Sequence, residues 1–433
     1  MKTKLLSLAL LMPSMGYSST LEDRVEELEF ARDLNVVQWS GELNTRADSV
    51  TKETDGNKVN FNLYRMKFSL NIDANLSDRL AFHGRLTQSK VMNDVTGPGD
   101  ELSALSNLHG YAGNELYVEK AYFDFKLTNN FILTLGRLPT AEGGPYHLTI
   151  GKPNRSSYPR LAYAYSLDGM ALTYNLGGLS FKALYHPFPT SDRSDNFFKE
   201  KTLGTGQTSK TGDAHLWVGM VDYSLSNTFL AKKIDLNLHY VSAENLYIFS
   251  QTIPVDATTT VVSDLYLHTK RVSAYAELAG VMNTPLTVAV AHSAGSSRGF
   301  VSQNTTTVTD GAGTTVAVVV GEKSNPKPVY AAGTLLTLKY DLMISGKKHA
   351  VGAQYMSNNK FFSLTDLAGR EPFNLWSVSG TAMHLFYNMP LENGLVWNTG
   401  YIEKNPKYSN GVDLEDAQIT KSSSFYTEFI LGF

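Results

Sequence analysis

The sequence predicts an all-β fold: a transmembrane antiparallel β-barrel of about 16 strands, preceded by a short N-terminal coiled-coil helix. Three observations carry this. Apolar residues recur with a period of two along most of the chain, the signature of strands with one greasy face. The connectors between these segments alternate between short and long. The composition fits neither a helical membrane protein nor a disulfide-stapled secreted domain. The 433 residues include no cysteine, 23 Tyr and 21 Phe, with a mean hydropathy of −0.19. No apolar run long enough for a membrane helix follows the N terminus. A wall with lipid on one side and water on the other averages to such a hydropathy.

Residues 1–18 read as a secretory signal peptide. Lys2 and Lys4 precede the apolar run "LLSLALLM", and Gly16 and Ser18 supply small residues for a cleavage site. The run is too short to span a bilayer as a helix. Removing Lys2 and Lys4 takes the formal charge from −3 to −5, a balance that gives no reason to expect a nucleic-acid partner.

Residues 19–35 form the predicted helix, with Leu21, Val25 and Leu28 at spacings of four and three among charged residues. So short a segment needs self-association or packing on the barrel rim to persist. A charged leader with no partner is the plain alternative, and a luminal plug lacks the broad apolar face it would need.

The barrel is assigned to residues 36–433. The predicted strands run over 36–46, 59–73, 79–90, 115–127, 131–138, 167–175, 179–186 and 214–226. The second half supplies 232–247, 265–281, 285–295, 330–342, 347–357, 376–388, 394–404 and 422–433. Short connectors such as "ANLSD", "TNN", "MNTP" and "MISG" alternate with long ones rich in Gly, Ser, Thr, Asn and Pro, among them 91–114, 139–166, 187–213 and 296–329. The Thr-rich stretch 301–321 reads as an external hairpin turning at "DGAG". No recurring sequence period of a propeller or solenoid is present.

The final strand places Phe425, Thr427, Phe429, Leu431 and Phe433 on one face. It must pair with the first strand, because an open edge cannot face lipid. This ending resembles the outer-membrane barrels of Gram-negative bacteria, whose last strands alternate apolar residues and close on Phe. The resemblance implies that Phe425, Phe429, Leu431 and Phe433 form the signal read by the barrel-assembly machinery. It also implies an outer-membrane location among lipids, with the N-terminal helix in the periplasm.

With apolar positions outward, the lumen side follows by alternation. Strand 59–73 turns Tyr64, Met66, Phe68, Leu70 and Ile72 outward and Arg65, Lys67, Ser69, Asn71 and Asp73 inward. The next strand sends Arg79, His83 and Arg85 inside. Further along, the predicted pore-lining residues are Lys120, Asp124, Lys126, Lys182, His186, Asp222, Asp235, His239, Arg271, Glu277, Lys339 and Asp341. Such charges are costly in an apolar core, so a wet interior is expected. The early clustering of basic residues predicts a field across the channel and a mild anion preference, against the plainer expectation of solvated, unselective charges.

The stretch "LGRLPTAEGGPYHLTIGKPNRSSYPR", 135–160, is the third extracellular connector by count. It resembles an uncharacterised proteobacterial family of porin-like proteins, with a Gly-Arg-x-Pro strand end followed by a Gly-Pro-rich turn. In sixteen-stranded porins the third loop folds inward. The likeness implies a constriction lined by Arg137, Glu142, Lys152, Arg155 and Arg160, where a rigid external loop is the ordinary alternative. It also implies a homo-oligomer, a trimer.

Other chemistry finds little support. "GTGQTSKT" from Gly204 fails as a phosphate loop because Ser209 replaces the glycine before Lys210. The ten histidines contain no close ligand pair for a metal. His292 and Ser293 point to opposite faces of one strand and cannot form a catalytic pair. No cofactor and no enzymatic activity are expected. The reading is a porin-like channel for passive diffusion of small hydrophilic solutes. The competing reading is a non-conducting surface or envelope-attachment protein.

Overall fold

The computed structural model describes residues 37–91, 116–140, 143–154, 156, 167–188, 202–203, 207–208, 214–254, 260–309, 315–324, 329–360, 362, 375, 378–392, 394–409, 412–413 and 420–433. The predicted signal peptide 1–18 and coiled-coil helix 19–35 lie outside the described residues, as do Glu142, Arg155 and Arg160.

Sixteen strands close one antiparallel barrel. The first eight are β1 (Val37–Thr54), β2 (Asn57–Ser77), β3 (Leu80–Val91), β4 (Leu116–Lys126), β5 (Phe131–Leu138), β6 (Leu167–Leu176), β7 (Leu179–Phe188) and β8 (Ala214–Ser226). The others are β9 (Ala231–Pro254), β10 (Thr260–Val281), β11 (Leu286–Thr309), β12 (Val329–Ile344), β13 (Lys347–Asn358), β14 (Gly380–Pro390), β15 (Leu395–Pro406) and β16 (Thr420–Gly432). Each pairs with the next, and β16 pairs with β1 from Glu42↔Gly432 to Thr54↔Thr420. Closure satisfies every strand edge internally, the condition for a sheet bathed in hydrocarbon.

Most of the predicted strands recur within a few residues, and the exceptions have local causes. β1 and β2 continue as a tall hairpin through 47–58, which the alternation left as a connector. Asp55 and Gly56 have φ of 50° and 74°, the left-handed pair that an Asp-Gly turn supplies. β9 and β11 each reach 24 residues. At about 3.3 Å per residue they rise far beyond an apolar band of about 25 Å. The Thr-rich hairpin is present, with Thr315–Ser324 paired to the far end of β11 from Val301↔Ser324 to Thr309↔Thr315. Arg79 sits in the two-residue turn between β2 and β3, so it leaves the strand wall where alternation placed it.

Residues 143–154 and 156 form a lobe that settles which side of the wall is inside. The lobe leaves β5, closes on itself through a parallel bridge between Gly143 and Ser156, and carries the short helix α1 (Tyr146–Ile150). It touches Glu277 on β10, Asn388 on β14 and Asn398 on β15. A segment rooted at β5 reaches those strands only across the lumen. The faces it touches are therefore inward, and the strand register carries that parity around the barrel. Arg46, Arg65, Lys67, Asp73, His83, Asp222, His239, Arg271, Glu277 and Lys339 all fall on the inner face. Trp217, Leu238, Tyr240, Leu336, Leu338, Phe425 and Phe429 fall on the outer face, each at least 39% exposed as a lipid-facing side chain would be.

Apolar side chains also stand on the inner face, beside the charged ones. Leu184, Leu216, Val218, Met220 and Val241 form a buried apolar patch on the inner wall of β7–β9. A second cluster joins Leu148 of α1 to Ala291, Leu335, Met356 and Phe362.

Candidate functional site

The lobe is held against β10, β14 and β15 by specific bonds. His147 Nε2 lies 3.1 Å from Glu277 Oε2, and Tyr275 donates to the same carboxylate at 2.5 Å. Asn388 Nδ2 donates to the Thr149 carbonyl at 2.8 Å and Asn398 Nδ2 to the Ile150 carbonyl at 3.4 Å. These two carbonyls belong to the last turn of α1, where no intrahelical partner is available. Gly151 ends the helix at φ 64°, a left-handed cap that glycine adopts without strain. Lys152 Nζ then reaches the Gly394 carbonyl at 3.3 Å, in the short turn between β14 and β15. Leu148, Thr149 and Ile150 are buried, so the apolar side of the helix packs against the wall behind it.

Between the lobe and the wall of β1–β4 lies a cavity of about 590 Å³, lined by Glu42, Asp73, Arg85, Glu119, Lys120 and Lys152, with Leu138 and Pro139 at the root of the lobe. A charge network covers this wall. Arg46 binds Asp48 at 2.7 Å and stacks over the Tyr426 ring at 3.8 Å. Arg65 reaches Asp48 at 3.1 Å. Lys67 and Arg85 both approach Glu119 at 3.3 Å, and Thr87 donates to it at 2.5 Å. His83 bridges Asp73 at 2.6 Å and Asp124 at 3.7 Å, and Thr134 donates to Asp124.

Several of these residues escaped the alternation. Glu119 escaped because a β-bulge between the Arg85 and Leu86 pairings sets two successive residues of β4, Glu119 and Lys120, against one register step. Strict alternation puts Glu119 outside once Lys120 is inside. Glu42, Arg46 and Asp48 stand on a strand whose outward face is too polar to declare itself. Glu428 was hidden between the phenylalanines of β16, where it accepts from Asn44 at 2.7 Å. The signal that could have found the β1 residues is the run Glu42, Asn44, Arg46, Asp48, polar at every second position.

The remaining predicted residues divide into groups. Lys182 pairs with Asp222 at 2.6 Å, and Asn237 donates to the same carboxylate. Asp235 takes Lys233 and Ser224, each at 2.6 Å. Lys339 and Lys348 converge on Asp341 at 2.8 Å. Arg271 is buried and lies over the Phe362 ring. Lys126 ends β4 at an exposed position. Arg137 departs furthest from expectation. Its register with Asp168 places it on the outward side of β5, where Nε and Nη2 grip Asp168 at 2.6 and 2.7 Å, away from the constriction. Of the constriction residues, Lys152 is the one that the described part of the lobe brings to the cavity.

The early basic residues thus stand beside acids. Arg65, Lys67 and Arg85 each have a carboxylate within 3.3 Å, so the wall carries interleaved charge and no one-sided positive field. His292 and Ser293 diverge as their strand requires, His292 outward to Thr334 and Ser293 inward to Ser273. Among the described residues no group of three His, Asp or Glu side chains is placed to hold a metal ion.

A family model described as "Protein of unknown function (DUF3373)" matches residues 57–188. No curated protein matches the sequence. The fold is similar to that of OmpT, an outer membrane protein of Vibrio cholerae, at 12% identity and a TM-score of 0.50, over 92% of this chain and 97% of that one. It is also similar to OprB of Pseudomonas putida at 14% identity and a TM-score of 0.52, over 95% of this chain and 96% of that one. At such identities the likeness is one of fold.

Proposed function

We propose that the chain is an outer-membrane porin-like channel through which small hydrophilic solutes diffuse passively. One observation carries this reading: the lobe docks on the inner wall of β10, β14 and β15, beside a charged cavity of about 590 Å³ along β1–β4. A pore narrowed by a strap and lined by alternating charge passes small polar molecules and holds back large or apolar ones. Sequence supports the location, through the signal peptide and the apolar ending at Phe433 that the assembly machinery would read. A homotrimer is the assembly we favour, with the coiled-coil leader in the periplasm aiding its register. The interleaved wall argues for weak ion preference, within which the basic residues favour anions mildly.

A second reading, a non-conducting surface or envelope-attachment barrel, draws on the apolar packing inside the wall. Planar-bilayer recording of the purified protein separates the two. The channel reading expects discrete conductance steps in potassium chloride. Folded barrel that inserts and gives no steps at any voltage would leave the attachment reading.

A further inference from the structure

We propose that the outer wall of β6–β10 holds one anionic phospholipid, with an acyl chain in a groove over Gly219 and its phosphate on Lys270. The inference rests on the membrane setting of that wall and is independent of whether the barrel conducts.

The groove follows from the strand register. One row across the outer face reads Leu172, Ala183, Gly219, Tyr240 and Val272, from β6 to β10. Two small residues thus lie between large ones. A Cβ on Gly219 would meet nothing within 4 Å, so the wall is hollow there, and Phe181 and Leu238 carry the hollow on below. The groove holds about 560 Å³ and its lining is almost wholly apolar. On a surface bathed in hydrocarbon, a chain of the same chemistry that fills the hollow gains the dispersion contacts an empty one forfeits.

The next row up the same face reads Tyr185, Trp217, Ser242 and Lys270. The Tyr185 and Trp217 rings lie 4.4 Å apart, a pair of amphipathic aromatics of the kind that marks the membrane interface. The height of Lys270 agrees. With about 3.3 Å per residue and a tilt of about 40°, it stands roughly 25–30 Å along the membrane normal from Val281 at the short-turn end of β10, the top of an apolar band about 25 Å tall. Lys270 is exposed and makes no hydrogen bond or ion pair among the described residues. Its Cα is about 7 Å along the strand from that of Val272, on the same face, so the long side chain reaches over the mouth of the groove. The exposed Glu244 stands a row higher, in register with His215. A lipid phosphate at this level gains a charge-assisted bond from Lys270 while its chain descends past Trp217 into the groove. One cation above one groove matches a lipid with a single phosphate, and not a glycolipid with several phosphates and many chains.

The test uses the refolded full chain in detergent, with native mass spectrometry to count retained lipid. The probes are dipalmitoylphosphatidylglycerol and dipalmitoylglycerol, which has the same chains and no phosphate. The unaltered chain is expected to retain a single phosphatidylglycerol and to prefer it over the diacylglycerol by roughly fivefold, the worth of one lysine at an anionic lipid surface. Lys270→Gln should erase that preference. Gly219→Phe should lower retention of both lipids by filling the groove, and the heat-resistant band on a gel checks that each variant folds. Equal retention of the two probes by the unaltered chain, or retention unaffected by Gly219→Phe, overturns the site. A change of oligomeric mass on Gly219→Phe with lipid retention unaltered also overturns it, and assigns the face to a second copy. Loss of lipid binding from a barrel that still conducts leaves the channel reading standing, and selective retention by a barrel that never conducts supports the site and removes the channel.

Discussion

Gly41 and Phe433 close the barrel together: their backbones exchange two hydrogen bonds, at 2.8 and 3.0 Å, and the Phe433 ring fills the space that a Cβ on Gly41 would need. The ring lies on the outer face, 6.3 Å from Phe68 in a stacked arrangement. The absence of a side chain at Gly41 is what lets the last aromatic lie flat across the seam between first and last strands. The aromatic end that stands out in the sequence is therefore half of a fitted pair whose other half is a glycine.

Gly41→Leu is expected to expel the ring and weaken the seam by about 1–3 kcal/mol, the usual cost of overpacking a fitted contact. Denaturant titration of the barrel refolded in lipid vesicles measures it. Phe433→Ala in the same background should add little further loss, since the seat is already lost. A full additive loss in the double variant would show that the two residues act independently.

The network around Glu119 makes a prediction opposite to the one its basic residues suggest alone. Neutralising Arg65, Lys67 and Arg85 strips Glu119, whose side chain is 7% exposed, of both its cations and leaves the buried Asp48 with Arg46 alone. Breaking one partner of such a buried pair costs about 3–5 kcal/mol. The triple variant is expected to fail in folding before any change of selectivity can be read, visible as loss of the heat-resistant band on a gel. Glu119→Gln keeps the shape and releases Lys67 and Arg85 from their shared carboxylate. Its reversal potential in a salt gradient should move toward anions. Movement toward cations would mean that Glu119 does not face the conducting path.

Alternation made the barrel and its inward face legible because the apolar outer positions, Tyr64, Met66, Phe68 and Leu70 among them, repeat without interruption. It failed where geometry departs from a period of two. The β4 bulge reversed the side of Glu119, the Asp55–Gly56 turn lengthened a hairpin whose strands are polar on both faces, and Arg137 followed the outward phase of Leu133 and Leu135. The 135–160 stretch announced a distinctive segment through its glycines and prolines. Its docking partners could not be read from it, because Asn388 and Asn398 sit more than two hundred residues away and are ordinary strand asparagines until the lobe arrives.

The seating of the lobe is open to a covalent check, because the chain has no cysteine of its own. A Cβ built on Gly151 would lie 3.2 Å from Asn388 Cβ, near the roughly 3.5–4.5 Å that a disulfide spans. The double variant Gly151→Cys, Asn388→Cys is expected to cross-link under mild oxidation, the bond outweighing the strain of a side chain at φ 64°, detected by mass spectrometry of a peptic digest. Each single variant should stay reduced. Failure to cross-link would place the end of α1 away from β14.

Apolar contact and polar bonds hold the lobe on its side of the lumen in about equal measure, and Leu148 is where the apolar contact can be broken. It is 5% exposed within the cluster of Ala291, Leu335, Met356 and Phe362, and its burial contributes about 1.5–3 kcal/mol. The polar bonds to Glu277, Asn388 and Asn398 replace bonds to water and add roughly 1 kcal/mol each. Leu148→Asp places a charge where no partner waits, a cost of several kcal/mol in a dry setting, which exceeds what those bonds can hold. The lobe should then leave the wall and the lumen behind it should flood. Single-channel conductance is expected to rise about twofold, as cross-section becomes available on the β10–β15 side. Leu148→Ala, which removes contact without adding charge, should give a smaller and noisier increase. If neither variant changes the conductance, the polar bonds alone anchor the lobe, and Asn388→Ala becomes the substitution that frees it.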